Sequence, residues 1–314
     1  MNKVLIVDRV HPLIWEELTA HGFVCESFPD YSREQLEEMA GTYTGIIIRS
    51  RFRIDQKFLN KASNLRFIGR IGSGLDAIDV EYATAKGIRC FNSPEGNRDS
   101  VGEHTLGMLL SMLNHLNRAD RQVRNGIWNR RENWGTELKG KTVGIIGYGN
   151  MGSAFARRLK GFETHVIAYD KYKRNYSDGN VRETTLDELC ENADIVSLHV
   201  PLTDETTFLV DTSFLNRFRR KIWLINTSRG KVVKTSCLVN ALKSGKVLGA
   251  ALDVLEYEDA SFEALATDLP EDFRYLMESG NVILTPHIAG WTDESNVKLA
   301  KVLVEKIVKW KNCE

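Results

Sequence analysis

A glycine-rich motif in the middle of the chain places the strongest constraint on the fold. Residues 143 to 152 read VGIIGYGNMG, an apolar run followed by Gly147, Gly149 and Gly152. A GxGxxG sequence between a strand and a helix is typical of a dinucleotide-binding unit, although glycines also serve ordinary turns. Because such a unit usually begins with this motif, the residues before Val143 are expected to form a complete domain of their own.

Short apolar runs alternate with helix-like segments on both sides of this motif. Before residue 98, runs such as VLIV at 4 to 7 and GIIIR at 45 to 49 indicate a small parallel α/β sheet. The alternation starts again at residue 143 and continues to NVILTPH at 281 to 287, which indicates a second, larger sheet. The predicted fold class is therefore α/β, with two doubly wound parallel-sheet domains.

Two further stretches indicate how the domains connect. A long helix is predicted from 101 to about 117, before a polar passage that leads to the glycine motif. A final helix is predicted from 293 to 310, and we expect it to return to the first domain. A Rossmann cofactor domain at 99–288 would then be inserted into a smaller, flavodoxin-like substrate domain formed by 1–98 and 289–314. This arrangement implies a cleft between a cofactor lobe and a substrate lobe.

The charge and the cysteine content limit which binding partners and which cellular compartment are expected. The chain has 42 basic and 42 acidic side chains, so no net charge attracts nucleic acid or an anionic membrane, and a small-molecule substrate is expected instead. The five cysteines are odd in number and form no CxxC pair, so we expect neither a disulfide framework nor a metal site. No leader sequence or membrane-spanning apolar stretch is recognised, which favours a cytoplasmic protein.

An acidic residue beyond the glycine motif indicates which dinucleotide is bound. Asp170 ends the apolar run THVIAYD, 18 residues after Gly152. Its carboxylate can accept hydrogen bonds from both ribose hydroxyls of NAD and would repel the 2′-phosphate of NADP. NAD is therefore the predicted cofactor. Lys171, Lys173 and Arg174 follow at once, and they either soften this preference or are solvated loop charges.

Three polar residues in the second half lie at or just beyond predicted strand ends, where open α/β sheets bind ligands. They are Arg229 in NTSRG, Glu258 after GAALDV and His287 in TPHIAG. A guanidinium binds a carboxylate and polarises a carbonyl, an imidazole moves a proton near neutral pH, and a neighbouring carboxylate stabilises the imidazolium. Together they predict hydride transfer at the carbon of a 2-hydroxy or 2-keto acid. Taken singly, each could equally be a surface or strand-end residue.

Seven motifs occur in order along nearly the whole chain. They are GRIGSGLDAID at 69–79, FNSPEGNRDSVGEHTLGMLL at 91–110, TELKGKTVGIIGYGNMG at 136–152, HVPLTDETT at 199–207, INTSRGKVV at 225–233, GAALDVLEYE at 249–258 and NVILTPHIAG at 281–290. With these motifs in this order, the chain resembles the NAD-dependent D-specific 2-hydroxyacid dehydrogenases. The resemblance implies their two-domain fold and a homodimer built through the helix near 100–117 and the loop after it.

The family pattern also implies roles for particular residues of this chain. Arg229 would engage the substrate, and Glu258 would pair with His287, the general acid and base. Backbone amides of Ser73 and Gly74 would bind the substrate carboxylate. The residues implied to contact NAD, with Asp253 on the nicotinamide carboxamide, are Gly147, Gly149, Asn150, Met151, Gly152, Asp170, Val200, Pro201, Thr206, Thr227, Ser228, Asp253, Ala289 and Gly290.

The chain departs from the family pattern just after the glutamate. Proline usually follows it, whereas here Glu258 is followed by Asp259 and Ala260. Glu256 is an alternative partner for the histidine, but spacing from the preceding aspartate favours Glu258. The acidic and aromatic stretch at 261–280 is expected to pack across the cleft or the dimer.

Within the family, the phosphoglycerate dehydrogenases resemble this chain most closely. Their phosphate-binding arginines match Arg49 and Arg51, with Ser50 between them, Arg70, and Arg130 supplied by the partner subunit. This predicts 3-phosphoglycerate and 3-phosphohydroxypyruvate as the substrate couple, although each arginine could be a surface charge. A glyoxylate or hydroxypyruvate reductase is the alternative enzyme, and an NAD(H)-sensing transcriptional corepressor is the alternative of another class. Because the chain ends at 314, no C-terminal regulatory domain is expected.

Overall fold

The computed structural model describes residues 2–258 and 269–313, which divide into two compact units. Unit 1 contains the residues up to Arg98 and those from Trp291 onward. Unit 2 runs from Asp99 to Gly290, apart from the undescribed residues 259–268. Each unit has its own sheet and its own apolar core.

Unit 1 is built around five parallel strands. These are β1 (Lys3–Ile6), β2 (Val24–Ser27), β3 (Gly45–Ile48), β4 (Phe67–Arg70) and β5 (Arg89–Asn92). Their order in the sheet is β2-β1-β3-β4-β5. The helices between them are α1 (Pro12–Ala20), α2 (Arg33–Met39), α3 (Gln56–Lys61) and α4 (Val80–Ala85), with a 3-10 turn at Ala40–Thr42. This strand order is flavodoxin-like.

Two helices lie between the sheets in sequence. Helix α5 (Pro94–Leu113) starts in unit 1 and continues past the boundary at Arg98, and α6 (Leu116–Arg124) follows it. The prediction of one helix over 101–117 is wrong at both ends. His115 has a left-handed backbone with φ 52°, which interrupts the helical hydrogen-bond ladder.

Unit 2 contains seven parallel strands. These are β6 (Thr142–Ile146), β7 (His165–Tyr169), β8 (Arg182–Glu183), β9 (Ile195–Leu198), β10 (Ile222–Asn226), β11 (Val247–Leu252) and β12 (Val282–Leu284). Their order is β12-β11-β10-β9-β6-β7-β8, which is the Rossmann arrangement with one added strand. The helices are α7 (Asn150–Arg158), α8 (Leu186–Asn192), α9 (Thr212–Asn216), α10 (Thr235–Lys243) and α11 (Glu271–Glu278), with a 3-10 turn at Gly230–Val232.

The strand sequences explain why both sheets are parallel and covered. The GIII of β3 and the IVSL of β9 are buried at every position, as expected of strands with helices on both faces. The last helix, α12 (Asp293–Lys311), begins at a capping box formed by Thr292 and Ser295 and packs in the core of unit 1. The predicted fold class is confirmed. None of the helices in the described part of the chain is both long and apolar enough to span a bilayer.

Helix α11 lies in the stretch after Glu258 whose role the sequence left open. Phe273 and Leu276 are buried in the core of unit 2, where α11 packs against α10. The ring of Phe273 meets that of Tyr257 edge to face, with centroids 5.7 Å apart. The first part of the predicted cleft or dimer contact, 261–268, lies outside the described residues.

Candidate active site

The sheet of unit 2 has one point where the chain changes direction. Strands β6 and β9 are neighbours, yet the chain continues from β6 to β7 on one side and from β9 to β10 on the other. The loops that leave these two strands begin at Gly147 and His199. In open parallel sheets, dinucleotides bind at the carboxyl ends of strands at such a point.

The three glycines of the motif are required for different reasons. Gly147 has a left-handed backbone (φ 92°), and an added Cβ would lie 2.6 Å from the carbonyl oxygen of His199. An added Cβ on Gly152 would lie 2.0 Å from the carbonyl oxygen of Gly147, so α7 approaches β6 closely only with glycine there. A Cβ on Gly149 would meet no atom of the described residues within 4 Å. This open, bare backbone is where a pyrophosphate can approach.

The start of helix α7 also fits an anion. Gly149 is its N-cap residue, and among residues 2–258 and 269–313 no side chain caps the first turn. The N–H groups of that turn therefore lack a side-chain cap, and the helix dipole favours negative charge beside them. Asn150 and Met151, both implied to contact NAD, are the first two helical residues. The geometry thus fits the pyrophosphate of a dinucleotide.

Asp170 is fixed beside the glycine loop. Its carboxylate accepts hydrogen bonds from the backbone N–H groups of Tyr148 (2.8 Å), Tyr172 (2.9 Å) and Lys173 (2.9 Å). Burial raises the pKa of Asp170, but these hydrogen bonds outweigh it and hold the pKa below its ordinary value. The carboxylate is therefore ionised near neutral pH. A fixed negative charge at this place fits ribose hydroxyls and disfavours a 2′-phosphate.

The three basic residues after Asp170 all have partners within unit 2. Lys171 Nζ lies 2.7 Å from the carboxylate of Glu205. Lys173 Nζ donates to the carbonyl oxygen of Tyr148 (3.0 Å), and Arg174 donates to that of Asp170 (2.7 Å). These contacts favour the interpretation in which the three side chains are loop charges over the one in which they bind a 2′-phosphate.

Glu258 and His287 form a hydrogen-bonded pair. Nδ1 of His287 lies 2.8 Å from Oε2 of Glu258, and the other carboxylate oxygen accepts a hydrogen bond from the backbone N–H of Leu255. Because a carboxylate only accepts, Nδ1 carries the proton in this bond. The side chains are 23% and 11% exposed, so little water competes for the contact. Such a pair fixes the orientation and the tautomer of the imidazole.

The structure separates the roles of the two neighbouring glutamates. Oε2 of Glu256 accepts a hydrogen bond from the backbone N–H of Thr235 (2.7 Å), the first residue of α10. A carboxylate at a helix N-terminus satisfies an unpaired N–H group and the dipole. Glu256 therefore stabilises a helix, whereas Glu258 contacts the histidine.

The loop that carries Arg229 is fixed by the buried Asn226. Its side-chain oxygen accepts from the N–H (3.1 Å) and hydroxyl (2.8 Å) of Ser228, and its amide donates to the carbonyl oxygen of Arg229 (2.9 Å). An added Cβ on Gly230 would lie 1.8 Å from the carbonyl oxygen of Leu255. The Arg229 loop therefore packs directly on the loop that leads to Glu258.

The backbone of His287 is unusual. Its φ is 55°, a left-handed conformation that costs a residue with a side chain on the order of 1 to 3 kcal/mol. The carboxylate of Asp253 accepts from the N–H groups of Ile288 (2.9 Å) and Ala289 (2.9 Å), and the N–H of His287 donates to the carbonyl oxygen of Asp253 (2.7 Å). Asp253 thus fixes this loop. Its implied contact with the nicotinamide stays a prediction.

Three residues of this loop network were not singled out from the sequence. The hydroxyl of Thr285 donates to Oδ1 of Asp253 (2.6 Å), and Nε2 of His104 lies 3.2 Å from the Thr285 hydroxyl oxygen. Ser100 donates to the carbonyl oxygen of Ala289 (2.6 Å). Ser100 and His104 are four residues apart on α5, hence on one helical face. That spacing of polar residues is the only signal that the sequence offers for them.

The other residues implied to contact NAD lie on loops after β9 and β10. Val200 and Pro201 follow β9, and Thr206 closes their loop by donating to the carbonyl oxygen of Pro201 (2.6 Å). Thr227 follows β10, and its hydroxyl oxygen lies 3.1 Å from that of Thr105 on α5. These loops leave the same edge of one parallel sheet. Their contact with NAD stays a prediction.

Arg49 and Arg70 lie at the carboxyl ends of the neighbouring strands β3 and β4 in unit 1. The Arg49 guanidinium stacks on the indole ring of Trp291, 4.1 Å from its centroid. Arg70 Nε donates to the carbonyl oxygen of Arg49 (3.0 Å). The Arg70 guanidinium crosses Gly72, where an added Cβ would lie 1.5 Å from Nη1. Two cationic side chains therefore share one edge of this sheet.

Arg51 differs from these two arginines. Its guanidinium donates to the backbone carbonyl oxygens of Val7 (2.8 Å) and Tyr31 (2.5 Å). These bonds tie together the chain segments after β1, β2 and β3. The contacts favour a structural role for Arg51, and phosphate binding by it stays a prediction. Ser50, between the two arginines, is partly buried.

Ser73 and Gly74 lie in the loop after β4. The Ser73 hydroxyl donates to Oδ1 of Asn97 (2.7 Å), and the Ser73 carbonyl oxygen accepts from the side chain of Asn92 (2.6 Å). Across residues 2–258 and 269–313, the backbone amides of Ser73 and Gly74 donate no hydrogen bond. Such amides fit the predicted contact with a carboxylate, which stays a prediction.

Arg130 lies in unit 2, in the segment after α6, and is exposed. Trp128 and Trp134 on either side of it are 78% and 83% exposed. Large apolar side chains grouped on a surface mark interaction sites. The contribution of Arg130 from a partner subunit stays a prediction.

The fold and the site together define a class, the two-domain proteins with a Rossmann dinucleotide-binding unit. Residues 106–289 match the NAD binding domain of the D-isomer specific 2-hydroxyacid dehydrogenases. The chain belongs to this family. The resemblance seen in the sequence and the predicted cofactor, NAD, are therefore confirmed.

Three similar proteins illustrate the range of names within the family. The chain is 35% identical to a D-3-phosphoglycerate dehydrogenase of Archaeoglobus fulgidus over 98% of its own length and 56% of the relative's. It is 37% identical to a glyoxylate reductase of Thermofilum pendens, covering 88% of the chain and 81% of the relative. A D-lactate dehydrogenase of Aquifex aeolicus, crystallised with NAD and lactic acid, superposes with a TM-score of 0.83 at 30% identity, covering 99% and 96%. The chain thus spans just over half the length of its phosphoglycerate dehydrogenase relatives.

Proposed function

We propose that the protein is an NAD-dependent oxidoreductase that transfers a hydride between nicotinamide and C2 of a D-2-hydroxy acid or 2-keto acid. The observation that carries this proposal is the pairing of His287 with Glu258, 2.8 Å apart, on loops of the NAD-binding unit. The Arg229 loop packs on the loop that leads to Glu258. An acid-base group and a carboxylate-binding group at strand ends are what this reaction requires.

Arg229 would bind and polarise the substrate. A guanidinium forms two parallel hydrogen bonds to a carboxylate, and it also stabilises negative charge that develops on a neighbouring carbonyl oxygen. The buried Asn226 holds the backbone of this residue, so the guanidinium starts from a fixed point. In reduction, the guanidinium would stabilise the negative charge that develops on the carbonyl oxygen in the transition state more than it stabilises the ground state.

His287 would transfer the proton. In reduction, the protonated imidazole gives its proton to the C2 carbonyl oxygen, which becomes the hydroxyl; in oxidation, the neutral imidazole takes that proton back. Glu258 would hold the imidazole through Nδ1, which leaves Nε2 to exchange the proton. When bound, the nicotinamide cofactor would supply a hydride for C2 in reduction and accept one in oxidation. This hydride carries the two electrons of the reaction.

NADH oxidation with a panel of 2-keto acids tests this proposal. We expect turnover with at least one of pyruvate, glyoxylate, hydroxypyruvate and 3-phosphohydroxypyruvate. General acid-base groups contribute roughly 10²- to 10⁴-fold, so His287→Asn should lose about that much turnover while NADH still binds. Absence of turnover with every keto acid, despite NADH binding, would refute the proposal.

For the substrate, we propose the couple 3-phosphoglycerate and 3-phosphohydroxypyruvate. A phosphate dianion requires cations beyond Arg229, which the substrate carboxylate would occupy. Arg49 and Arg70, at adjacent strand ends of unit 1, supply two such cations. The predicted substrate domain, 1–98 and 289–314, would then correspond to unit 1 except at residues 289 and 290, and 99–288 would be the NAD domain.

A glyoxylate or hydroxypyruvate reductase is the second candidate. It is favoured by the similarity to a glyoxylate reductase, which is as high as that to phosphoglycerate dehydrogenases, and by the backbone contacts that occupy Arg51. The ratio of kcat/KM for 3-phosphohydroxypyruvate to that for hydroxypyruvate separates the candidates. A ratio near or below one would favour the reductase.

We also propose a cytoplasmic homodimer. The exposed Trp128 and Trp134 and the exposed Leu116, Val123 and Ile127 lie within one stretch around α6. A second copy of the chain would remove these side chains from water, and the partner's Arg130 would reach the substrate. Light scattering of the protein and of a Trp128→Ser, Trp134→Ser variant tests this, since the variant should be a monomer.

A further inference from the structure

The loop that carries His287 is held through residues that do not themselves belong to the proposed machinery. Thr285 precedes the loop at the end of β12, and His104 lies on α5, 181 residues earlier. We propose that Thr285 and His104 are positioning residues, which fix the carboxylate of Asp253 and, through it, the left-handed backbone of His287. This inference rests on the proposed function, because it assigns His287 as the acid and base.

The hydrogen-bond directions in this network follow from the donors available. The Thr285 hydroxyl has one proton, and Oδ1 of Asp253 at 2.6 Å is its acceptor. The Thr285 oxygen is then free to accept, so Nε2 of His104, at 3.2 Å, is the donor. The same nitrogen lies 3.5 Å from Oδ1 of Asp253. The chain of donation therefore runs from His104 through Thr285 to Asp253.

Asp253 depends on these donors for its orientation. Its side chain is 1% exposed, so water cannot replace a lost partner. Oδ1 accepts from the Thr285 hydroxyl and the N–H of Ile288, and Oδ2 accepts from the N–H of Ala289. Loss of the hydroxyl lets the carboxylate turn away from one or both amides.

Release of these amides acts on His287 because they directly follow it in sequence. The left-handed φ of 55° is uncommon for a residue with a side chain and persists where surrounding contacts impose it. A relaxed loop moves the imidazole relative to Glu258, to which Nδ1 is bonded at 2.8 Å. A displacement of about 1 Å at a reacting group can cost on the order of 10²-fold in rate.

A set of threonine variants tests the inference with steady-state kinetics. Thr285→Val removes the hydroxyl and keeps the shape, and Thr285→Ser keeps the hydroxyl. We expect kcat for keto-acid reduction at saturating NADH to fall at least about tenfold in Thr285→Val and to stay within about threefold in Thr285→Ser. Thr164→Val is the matched control, because the Thr164 hydroxyl oxygen is buried without a hydrogen-bond partner among the described residues.

A second pair of variants tests the role of His104. His104→Gln keeps a donor near the position of Nε2, and His104→Leu removes it. We expect His104→Leu to lower kcat and His104→Gln to restore most of the loss. If Thr285→Val fails to fold, the comparison of His104→Leu with His104→Gln tests the inference in its place.

The double variant with His287→Asn shows whether the effect passes through the histidine. If it does, Thr285→Val should cause little further loss in the His287→Asn background, because residues that act as one unit are not additive. An equal loss in both backgrounds would overturn the inference.

Amide hydrogen exchange separates this inference from the proposed function. Exchange at Ile288 and Ala289 should be at least about tenfold faster in Thr285→Val than in the unaltered protein, Thr285→Ser or Thr164→Val. This readout needs no turnover, so it stands if the protein reduces no keto acid. Unchanged exchange would overturn the inference whatever the activity.

Discussion

Glu258 holds the imidazole of His287 through Nδ1, at 2.8 Å, and this assigns the two nitrogens of the ring different tasks. Because Nδ1 carries the proton that the carboxylate accepts, Nε2 is the nitrogen that would exchange a proton with substrate. The orientation and the tautomer of the histidine are therefore set by a residue 29 positions away in sequence.

Removal of that carboxylate should slow the reaction. With Glu258→Gln the side-chain amide can donate as well as accept, so the tautomer with its proton on Nδ1 of His287 is no longer enforced, and kcat for keto-acid reduction should fall by about tenfold or more. Steady-state reduction rates at saturating NADH measure this. Glu256→Gln is the control, because Glu256 contacts the start of α10, and its kcat should match that of the unaltered protein. Equal kcat values for all three proteins would contradict the pairing.

Asp170 should determine the choice of dinucleotide. Its carboxylate is held by three backbone N–H groups and stays ionised, so it repels a 2′-phosphate. Asp170→Ala should reduce the preference for NADH over NADPH by about tenfold or more, because a charge-assisted hydrogen bond to the ribose is worth about 1.5 to 3 kcal/mol. Fluorescence titration with both dinucleotides measures the preference. Asp178→Ala, which removes a carboxylate that also accepts backbone N–H groups, should leave it unchanged.

Arg70 should contribute to phosphate binding. Loss of a charge-assisted hydrogen bond costs about 1.5 to 3 kcal/mol, so Arg70→Ala should weaken the binding of 3-phosphohydroxypyruvate by about tenfold or more. Its effect on hydroxypyruvate should be small. Arg9→Ala removes an arginine of unit 1 that is 84% exposed and controls for net charge. Equal losses with both substrates would show that Arg70 supports the loop and does not bind phosphate.

His199 should make the protein sensitive to acid. Burial lowers the pKa of His199 to about 3, against an ordinary value near 6.5. Between these values the unfolded chain binds a proton that the folded protein does not, so each pH unit below about 6.5 should lower the free energy of unfolding by about 1.4 kcal/mol. Urea unfolding at pH 7 and pH 5 measures this. His199→Gln should lose less stability on acidification, whereas the exposed His165→Gln should behave like the unaltered protein.

Local patterns in the sequence predicted most of the features that short-range physics determines. Apolar runs of four to six residues indicated the parallel strands, and the glycine motif marked the first strand of unit 2. The acidic residue at the end of β7 could be assigned because its spacing from the motif reflects one strand, one helix and one turn. The family resemblance added the pairing of Glu258 with His287, which distance in sequence would otherwise hide.

Tertiary contacts explain what the sequence did not predict. The left-handed backbone of His115 was not predicted, since only a small fraction of histidines adopt that conformation, and so the break between α5 and α6 was missed. The contact between His104 and Thr285 spans 181 residues and has no local signature. Arg51 sits in the same RSR sequence as Arg49, and only the fold shows that its guanidinium donates to backbone carbonyls.

The hydrogen bond from Ser100 to the carbonyl oxygen of Ala289 joins residues next to the two described points, after Arg98 and after Gly290, at which the chain passes between the units. The first and last residues of unit 2 are thus neighbours in space. A segment whose ends meet can be placed into another domain through a single break in its chain. We therefore expect the span from 99 to 290 to be exchangeable between relatives as one cassette. Its two junctions would lie next to each other in the structure.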